Sequence, residues 1–222
     1  MVLECIVKEP AQAAVASVIW LHGLGADGND FVPLIPELRL PADLPIRFVF
    51  PHAPVQPVTI NGGYAMRAWY DILEANLARK VDESGVKASA KAVMELIERE
   101  HARGIPYDKI FLAGFSQGGA ITLHLGLRYP KTLGGLLALS TYVPVPEKLA
   151  AERSDAMRNA NIFMAHGDYD PIVPLSLALE SKSLLEQLGY QPQFERYPMP
   201  HSVCGEEVVA IREFLIKRLR AQ

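Results

Sequence analysis

Cysteine is scarce in this chain: only Cys5 and Cys204 occur among 222 residues, almost at opposite ends. Two such thiols exclude a disulfide framework as the basis of the fold, and two free thiols in a reducing compartment is the expected state. Long hydrophobic runs are missing as well. No stretch approaches the ~20 apolar residues that cross a bilayer, so stable membrane insertion is not expected. The first residues, M-V-L-E-C-I-V-K-E-P, mix Glu4, Lys8 and Glu9 with apolar residues. They lack the order of a secretory signal, a basic region followed by an apolar run. Charge of one sign does not cluster either: 22 basic and 25 acidic residues leave a net charge of −3. With no basic face to neutralise phosphates, a nucleic-acid partner is excluded. Repeats, low-complexity tracts and linkers are also absent. These absences describe a soluble, cytoplasmic chain forming a single domain over residues 1–222.

What is present is apolar sequence in short runs. Half of the residues are apolar, and a chain of this length buries roughly 70% of its unfolded surface. Residues 15–21 (V-A-S-V-I-W-L), 46–50 (I-R-F-V-F), 109–113 (K-I-F-L-A), 133–139 and 161–165 (N-I-F-M-A) read as strands apolar on both faces, the habit of a parallel sheet. Residues 193–197 form a sixth, looser candidate. Between them lie helical patterns. Val86, Ala90, Val93 and Ile97 recur at three- and four-residue spacing until Gly104 and Pro106 stop the helix. Val208, Ile211, Leu215 and Leu219 give the last segment a similar stripe. Alternating strand and helix predicts a doubly wound α/β fold with right-handed crossovers and a mostly parallel central sheet. Residues 51–85 fit this alternation poorly. They are rich in Pro, Gly and Asn around Trp69 and Tyr70, and long irregular stretches in compact domains commonly serve function. The segment is expected to wall a substrate site, with Trp69, Leu73 and Leu77 as candidate linings; packed surface loop is the alternative.

Gly114-Phe115-Ser116-Gln117-Gly118 fits G-x-S-x-G. A strand runs directly in and a helical segment, A-I-T-L-H-L-G-L-R, runs out, which is the setting of a nucleophile elbow in an α/β hydrolase. A serine hydroxyl needs a base to become a useful nucleophile, and in this fold acid and histidine follow the serine along the chain. Three histidines lie beyond Ser116. His124 sits two turns down the elbow helix, too far to reach back. His166 ends a strand, and His201 lies in a loop before the last helix, from which an imidazole reaches across the sheet edge. His201 is the favoured base and His166 the second candidate. Asp168 and Asp170, both in H-G-D-Y-D-P-I-V-P, are candidate acids that the residues alone barely separate, and either also suits a turn or helix cap. The oxyanion of an acyl-transfer intermediate needs preorganised N–H donors. Gln117, after the serine, supplies one, and Leu24, in His22-Gly23-Leu24-Gly25-Ala26-Asp27-Gly28, is the most plausible second. That loop matches neither dinucleotide nor Walker phosphate patterns.

These motifs together resemble the bacterial carboxylesterase and acyl-protein thioesterase family, also described as lysophospholipase-like. L-H-G-L-G-A-D-G-N-D-F is similar to its first loop, G-F-S-Q-G-G to its elbow, and N-G-G followed by W-Y-D-I to its intervening substrate segment. H-G-D-Y-D-P-I-V-P resembles its acid loop, where the family's acid matches Asp170 rather than Asp168, and H-S near the C-terminus matches the catalytic histidine, His201. The resemblance covers nearly the whole chain. It implies an α/β-hydrolase fold without a large lid and a Ser116–Asp170–His201 triad. It also implies hydrolysis of small-molecule or lipid esters of short to medium acyl chain, with lysophospholipids and acyl thioesters as further substrates. No cofactor or metal is implied, and several family members are homodimers. Pro200 departs from the Met or Gly expected before the histidine, which puts the local loop geometry in question. Two other readings of the same residues are a peptidase or amidase and a binding module that keeps the fold without catalysis.

Overall fold

The computed structural model describes residues 3–74 and 81–221; Leu77 lies outside them. The apolar runs become β2 (Ala16–Leu21), β3 (Ile46–Pro51), β6 (Ile110–Phe115), β7 (Gly135–Leu139), β8 (Ile162–Gly167) and β9 (Gln193–Tyr197). With β1 (Cys5–Lys8) they build one seven-stranded sheet in the order β1-β3-β2-β6-β7-β8-β9. Every neighbour in it is parallel except β1, which runs antiparallel to β3 at the edge. β1 carries no apolar run because it is half-exposed, so the sequence pattern does not announce it.

Alternation along the strands feeds two cores. On β2, Ile19 and Leu21 face one side, where Val86, Val93 and Ile97 of α2 (Glu83–Ala102) pack. Val18 and Trp20 face the other, against Ile211, Phe214 and Leu215 of α6 (Gly205–Arg220). This is the two-faced burial that an all-apolar strand predicts. The other helices are α1 (Leu34–Glu37), α3 (Gln117–Gly126), α4 (Pro146–Glu152) and α5 (Leu175–Gln187). Gly104, at φ 95°, follows α2 where the sequence places its stop. Among the described residues no helix is long and apolar enough to cross a membrane. Cys5 and Cys204 are free and half-buried.

Residues 51–74 are more ordered than their composition suggests. They hold a separate hairpin, β4 (Val55–Val58) and β5 (Tyr64–Arg67), closed by a short 3₁₀ turn at Thr59–Asn61. The hairpin is tied down at its turn: Asp71 accepts the N–H and hydroxyl of Thr59, at 2.7 and 2.5 Å. The N–H of Asp71 donates in turn to Asp82, which caps α2 by accepting from Gly85 N–H at 2.9 Å. One carboxylate thus joins a helix start to the segment beside the site. Asp82→Ala should cost about 1–2 kcal/mol. That loss should appear as a lower urea midpoint with an unchanged slope.

Candidate active site

The carboxyl ends of β2, β6, β8 and β9 meet along one edge of the sheet, the edge at which open α/β sheets place their ligands. β6 delivers Ser116 at φ 55° and ψ −120°, a conformation that costs a non-glycine residue of order 1–3 kcal/mol and persists only where its surroundings enforce it. The enforcement is steric and hydrogen-bonded. Ser116 N–H donates to Leu139 O at 2.9 Å, and its carbonyl accepts from the Thr141 hydroxyl at 2.7 Å. A Cβ on Gly114 would lie 2.3 Å from the Gly118 backbone, and one on Gly118 only 2.4 Å from Leu21 O. Both positions therefore require glycine, as the G-x-S-x-G pattern implies.

The acid loop follows β8. Asp170 is buried, and one of its oxygens accepts the N–H groups of Ile172 and Val173 at 2.8 and 2.9 Å. Its other oxygen lies 2.6 Å from His201 Nδ1. Asp168 instead pairs with Arg196 on the surface, at 2.7 Å. The geometry thus separates the two aspartates that the residues left level. His166, the second candidate base, is fully buried; its Nε2 bonds to Val173 O at 2.8 Å and lies 3.4 Å from Asp170. Burial pushes its pKa below the ordinary imidazole value, so it supports the acid loop as a neutral ring. His124 is buried inside α3, where burial lowers its pKa to about 4.

The loop carrying His201 is stitched to the acid loop. Asp168 N–H donates to Tyr197 O at 2.8 Å and Tyr169 N–H to Met199 O at 3.1 Å. The carbonyls of Met199 and Pro200 press on Gly167, where a Cβ would lie 2.3 and 2.4 Å from them. Pro200 contributes its carbonyl to this packing, and Ser202 N–H donates to that same oxygen at 2.9 Å. The stitching draws on no N–H at position 200, so proline fits. The His201 ring packs on Phe115, next to the serine, with centroids 4.6 Å apart. Phe115 continues into an aromatic file through Phe31 to Trp20, at 5.7 and 5.2 Å.

Opposite lies the glycine-rich loop after β2. His22 Nε2 accepts from Ala53 N–H at 3.0 Å, so Nδ1 carries the proton and donates to Gly23 O at 2.7 Å. Burial lowers the His22 pKa to about 4 and keeps the ring neutral. Trp69 braces this loop: its indole N–H donates to His22 O at 2.8 Å. The Gln117 side chain holds Trp69 in turn, accepting from its N–H at 3.0 Å and donating to Tyr70 O at 2.8 Å. Gln117, read from the sequence only for its backbone N–H, is therefore also the clamp between elbow and brace. As the first residue of α3 its N–H has no intrahelical acceptor. In the glycine-rich loop, Gly25 N–H is committed to Arg67 O and Ala26 N–H to Gly23 O.

A cavity of about 330 Å³ opens at Ser116, with Leu24 and Gln117 on its wall. Tyr70, Ile72, Tyr142 and Ile172 supply its apolar surface. Trp69 is buried beneath the loop and Leu73 is half-buried, and neither is among the residues that line this cavity. Tyr70 and Ile72 reach the cavity where the sequence pointed to Trp69 and Leu73, because Trp69 is turned toward the His22 loop. Ile172 follows the acid, in a loop whose apolar residues gave no periodic signal. Among the described residues no group of three or more His, Cys, Asp or Glu is gathered to hold a metal.

Sheet order and elbow define an α/β hydrolase. More narrowly, the chain belongs to the phospholipase/carboxylesterase family, whose model matches residues 4–219. It is 40% identical over 213 residues to acyl-protein thioesterase 1 of Neurospora crassa, spanning 92% of this chain and 87% of that one. With acyl-protein thioesterase 1 of Cryptococcus neoformans it shares 36% over 229 residues, 95% of each chain. Among solved structures, SOBER1 of Arabidopsis thaliana superposes with a TM-score of 0.87 at 33% identity, covering 92% of this chain and 99% of that one. Acyl-protein thioesterase 2 of Zea mays gives 0.85 at 28% identity, over 97% and 99%.

Neutral His22 and His124 have a consequence for stability. Below their ordinary value near 6.5 the unfolded chain binds protons that the folded one refuses until about pH 4. Stability should therefore fall as the pH drops through that window. Urea unfolding followed from pH 7 to 5 should show a falling midpoint, and His124→Leu should flatten the slope.

Proposed function

We propose that the protein is a serine carboxylesterase acting on esters of short to medium acyl chain, and on acyl thioesters by the same chemistry. The whole chain forms its one catalytic domain. The observation that carries this reading is the 2.6 Å bond from His201 Nδ1 to buried Asp170, set beside an elbow serine at φ 55°. An aspartate on Nδ1 fixes the tautomer with its lone pair on Nε2 and stabilises the imidazolium that forms after proton uptake.

In the proposed sequence His201 takes the Ser116 proton as the hydroxyl oxygen attacks the acyl carbonyl. The N–H groups of Gln117 and Leu24 hold the resulting oxyanion. The tetrahedral intermediate collapses, the alcohol or thiol leaves with the proton from His201, and the acyl group stays on Ser116. Water, deprotonated by His201, then attacks the acyl-enzyme and releases the acid. Thioesters enter by the same route, and the names of the fungal and maize relatives support including them. The apolar walls of the cavity, Tyr70, Ile72, Tyr142 and Ile172, suit an acyl chain better than a peptide.

Hydrolysis of p-nitrophenyl esters from acetate to palmitate, beside a matched thioester, tests the reading. Ser116→Ala should lose at least about a thousandfold in kcat, and Asp170→Asn about 10⁴-fold. Asp168→Asn should stay close to wild type. Full turnover by Ser116→Ala would sink the proposal.

The clamp has its own test. Gln117→Ala keeps the N–H at position 117 but frees Trp69 and, through it, the His22 loop. It should lower kcat by about 10²-fold or more, since small displacements of catalytic groups carry that penalty. Circular dichroism should show the fold intact.

A further inference from the structure

A second cavity, about 240 Å³ in volume, adjoins the one at Ser116. The two share a wall residue, Tyr142. Tyr142 and Tyr70 are both buried, and their hydroxyls meet at 2.9 Å. A second seam runs beside them: Ile72, on the catalytic side, forms an antiparallel bridge with Val81, on the far side. The far cavity is mainly apolar, with Val143, Leu177 and Leu184 on its wall and the exposed Glu180 as its one charged residue. Its serine, Ser181, is already committed, accepting from Val143 N–H and donating to Leu177 O at 2.9 and 2.8 Å. The partition is anchored at both ends. Thr141 bonds to Ser116 O before it, and Val143 to Ser181 of α5 after it.

We propose that the Tyr70–Tyr142 pair sets the acyl-chain limit of this enzyme, closing the catalytic cavity against an apolar space that would otherwise take the distal end of a longer chain. This rests on the esterase reading above. A saturated acyl tail is the occupant that fits, because it enters from Ser116 and the far cavity continues a mainly apolar path, whose one charged lining residue, Glu180, is exposed and keeps its carboxylate in water. One hydroxyl donates to the other, so each of these two buried polar groups has a partner inside an apolar wall. A tail pushing between them would strip both of partners, and leaving buried hydroxyls unpaired is costly.

The test compares kcat/KM for p-nitrophenyl dodecanoate and butyrate. Tyr142→Ala should raise the dodecanoate-to-butyrate ratio at least about tenfold, the effect of giving even one methylene apolar surroundings. Leu184→Trp, which fills the far cavity, should cancel that gain in the double variant and leave the ratio of the wild-type background where it was. An unchanged ratio in folded Tyr142→Ala overturns the proposal. So does a lowered ratio in Leu184→Trp alone, since the tail would then already reach the far cavity. If Tyr142→Ala does not fold, Tyr142→Val carries the same comparison. Calorimetric binding of dodecanoate against butyrate reads the partition without turnover. A wild type that hydrolyses neither ester would thus count against the esterase reading, while a dodecanoate gain in the variant would still support the partition and its absence would overturn it.

Discussion

At the turn between β6 and α3 the backbone comes so close to the end of β2 that only glycine fits. A Cβ at Gly118 would lie 2.4 Å from Leu21 O and 2.6 Å from His22 O. That approach holds Ser116 in a conformation it would not adopt alone, and it sets the His22 loop beside the start of a helix. The rest of the site is referenced to this contact. Gln117 follows the serine and grips Trp69 and Tyr70, Trp69 grips the loop after β2, and Thr141 ties the loop after β7 to the serine carbonyl. The same few residues therefore place the start of α3, the loop after β2 and the cavity wall.

Three histidines near the sheet edge show how environment sorts one residue type. His22 and His166 are buried, hydrogen-bonded to backbone and held neutral by desolvation. A neutral imidazole presents one donor and one acceptor, which suits it for bracing a loop. His201 stands at the edge with a carboxylate on Nδ1 and an aromatic face on one side. Of the three rings it is the one that bonds directly to Asp170 without being fully buried, whereas His166 lies 3.4 Å from the same carboxylate and bonds to backbone. The sorting follows from burial and partners and is not visible in the spacing of the histidines.

The segment of residues 51–74 supplies much of the wall of the cavity at Ser116. It contributes the hairpin, the Trp69 brace and two residues, Tyr70 and Ile72, that line the cavity at Ser116. Because Asp71 and Asp82 chain it to the start of α2, its position depends on the core rather than on the site. Substrate preference can then vary with a few side chains on a fixed frame, the usual division between scaffold and loops.

Much of this was legible in the residues. Strands buried on both faces must be continuously apolar, so β2, β3, β6, β7, β8 and β9 announced themselves, and a mostly parallel sheet followed. The elbow was legible because its chemistry and its sterics both demand particular residues, a serine between glycines after a strand. The half-exposed edge strand β1 and the β4–β5 hairpin escaped, since neither needs an apolar run. Spacing alone barely separated Asp168 from Asp170, because both suit the same loop and only the path of the chain points one at His201 and the other at Arg196. The choice between Trp69 with Leu73 and Tyr70 with Ile72 is likewise a choice of face. Neighbouring residues there turn to different surroundings, Trp69 to the His22 loop and Tyr70 to the cavity, and nothing local says which one meets the cavity. The sequence by itself determined which elements form and which chemistry they can carry, through periodicity and steric demand. Tertiary structure decided which of several equivalent side chains meet, because that depends on contacts between residues far apart in the chain.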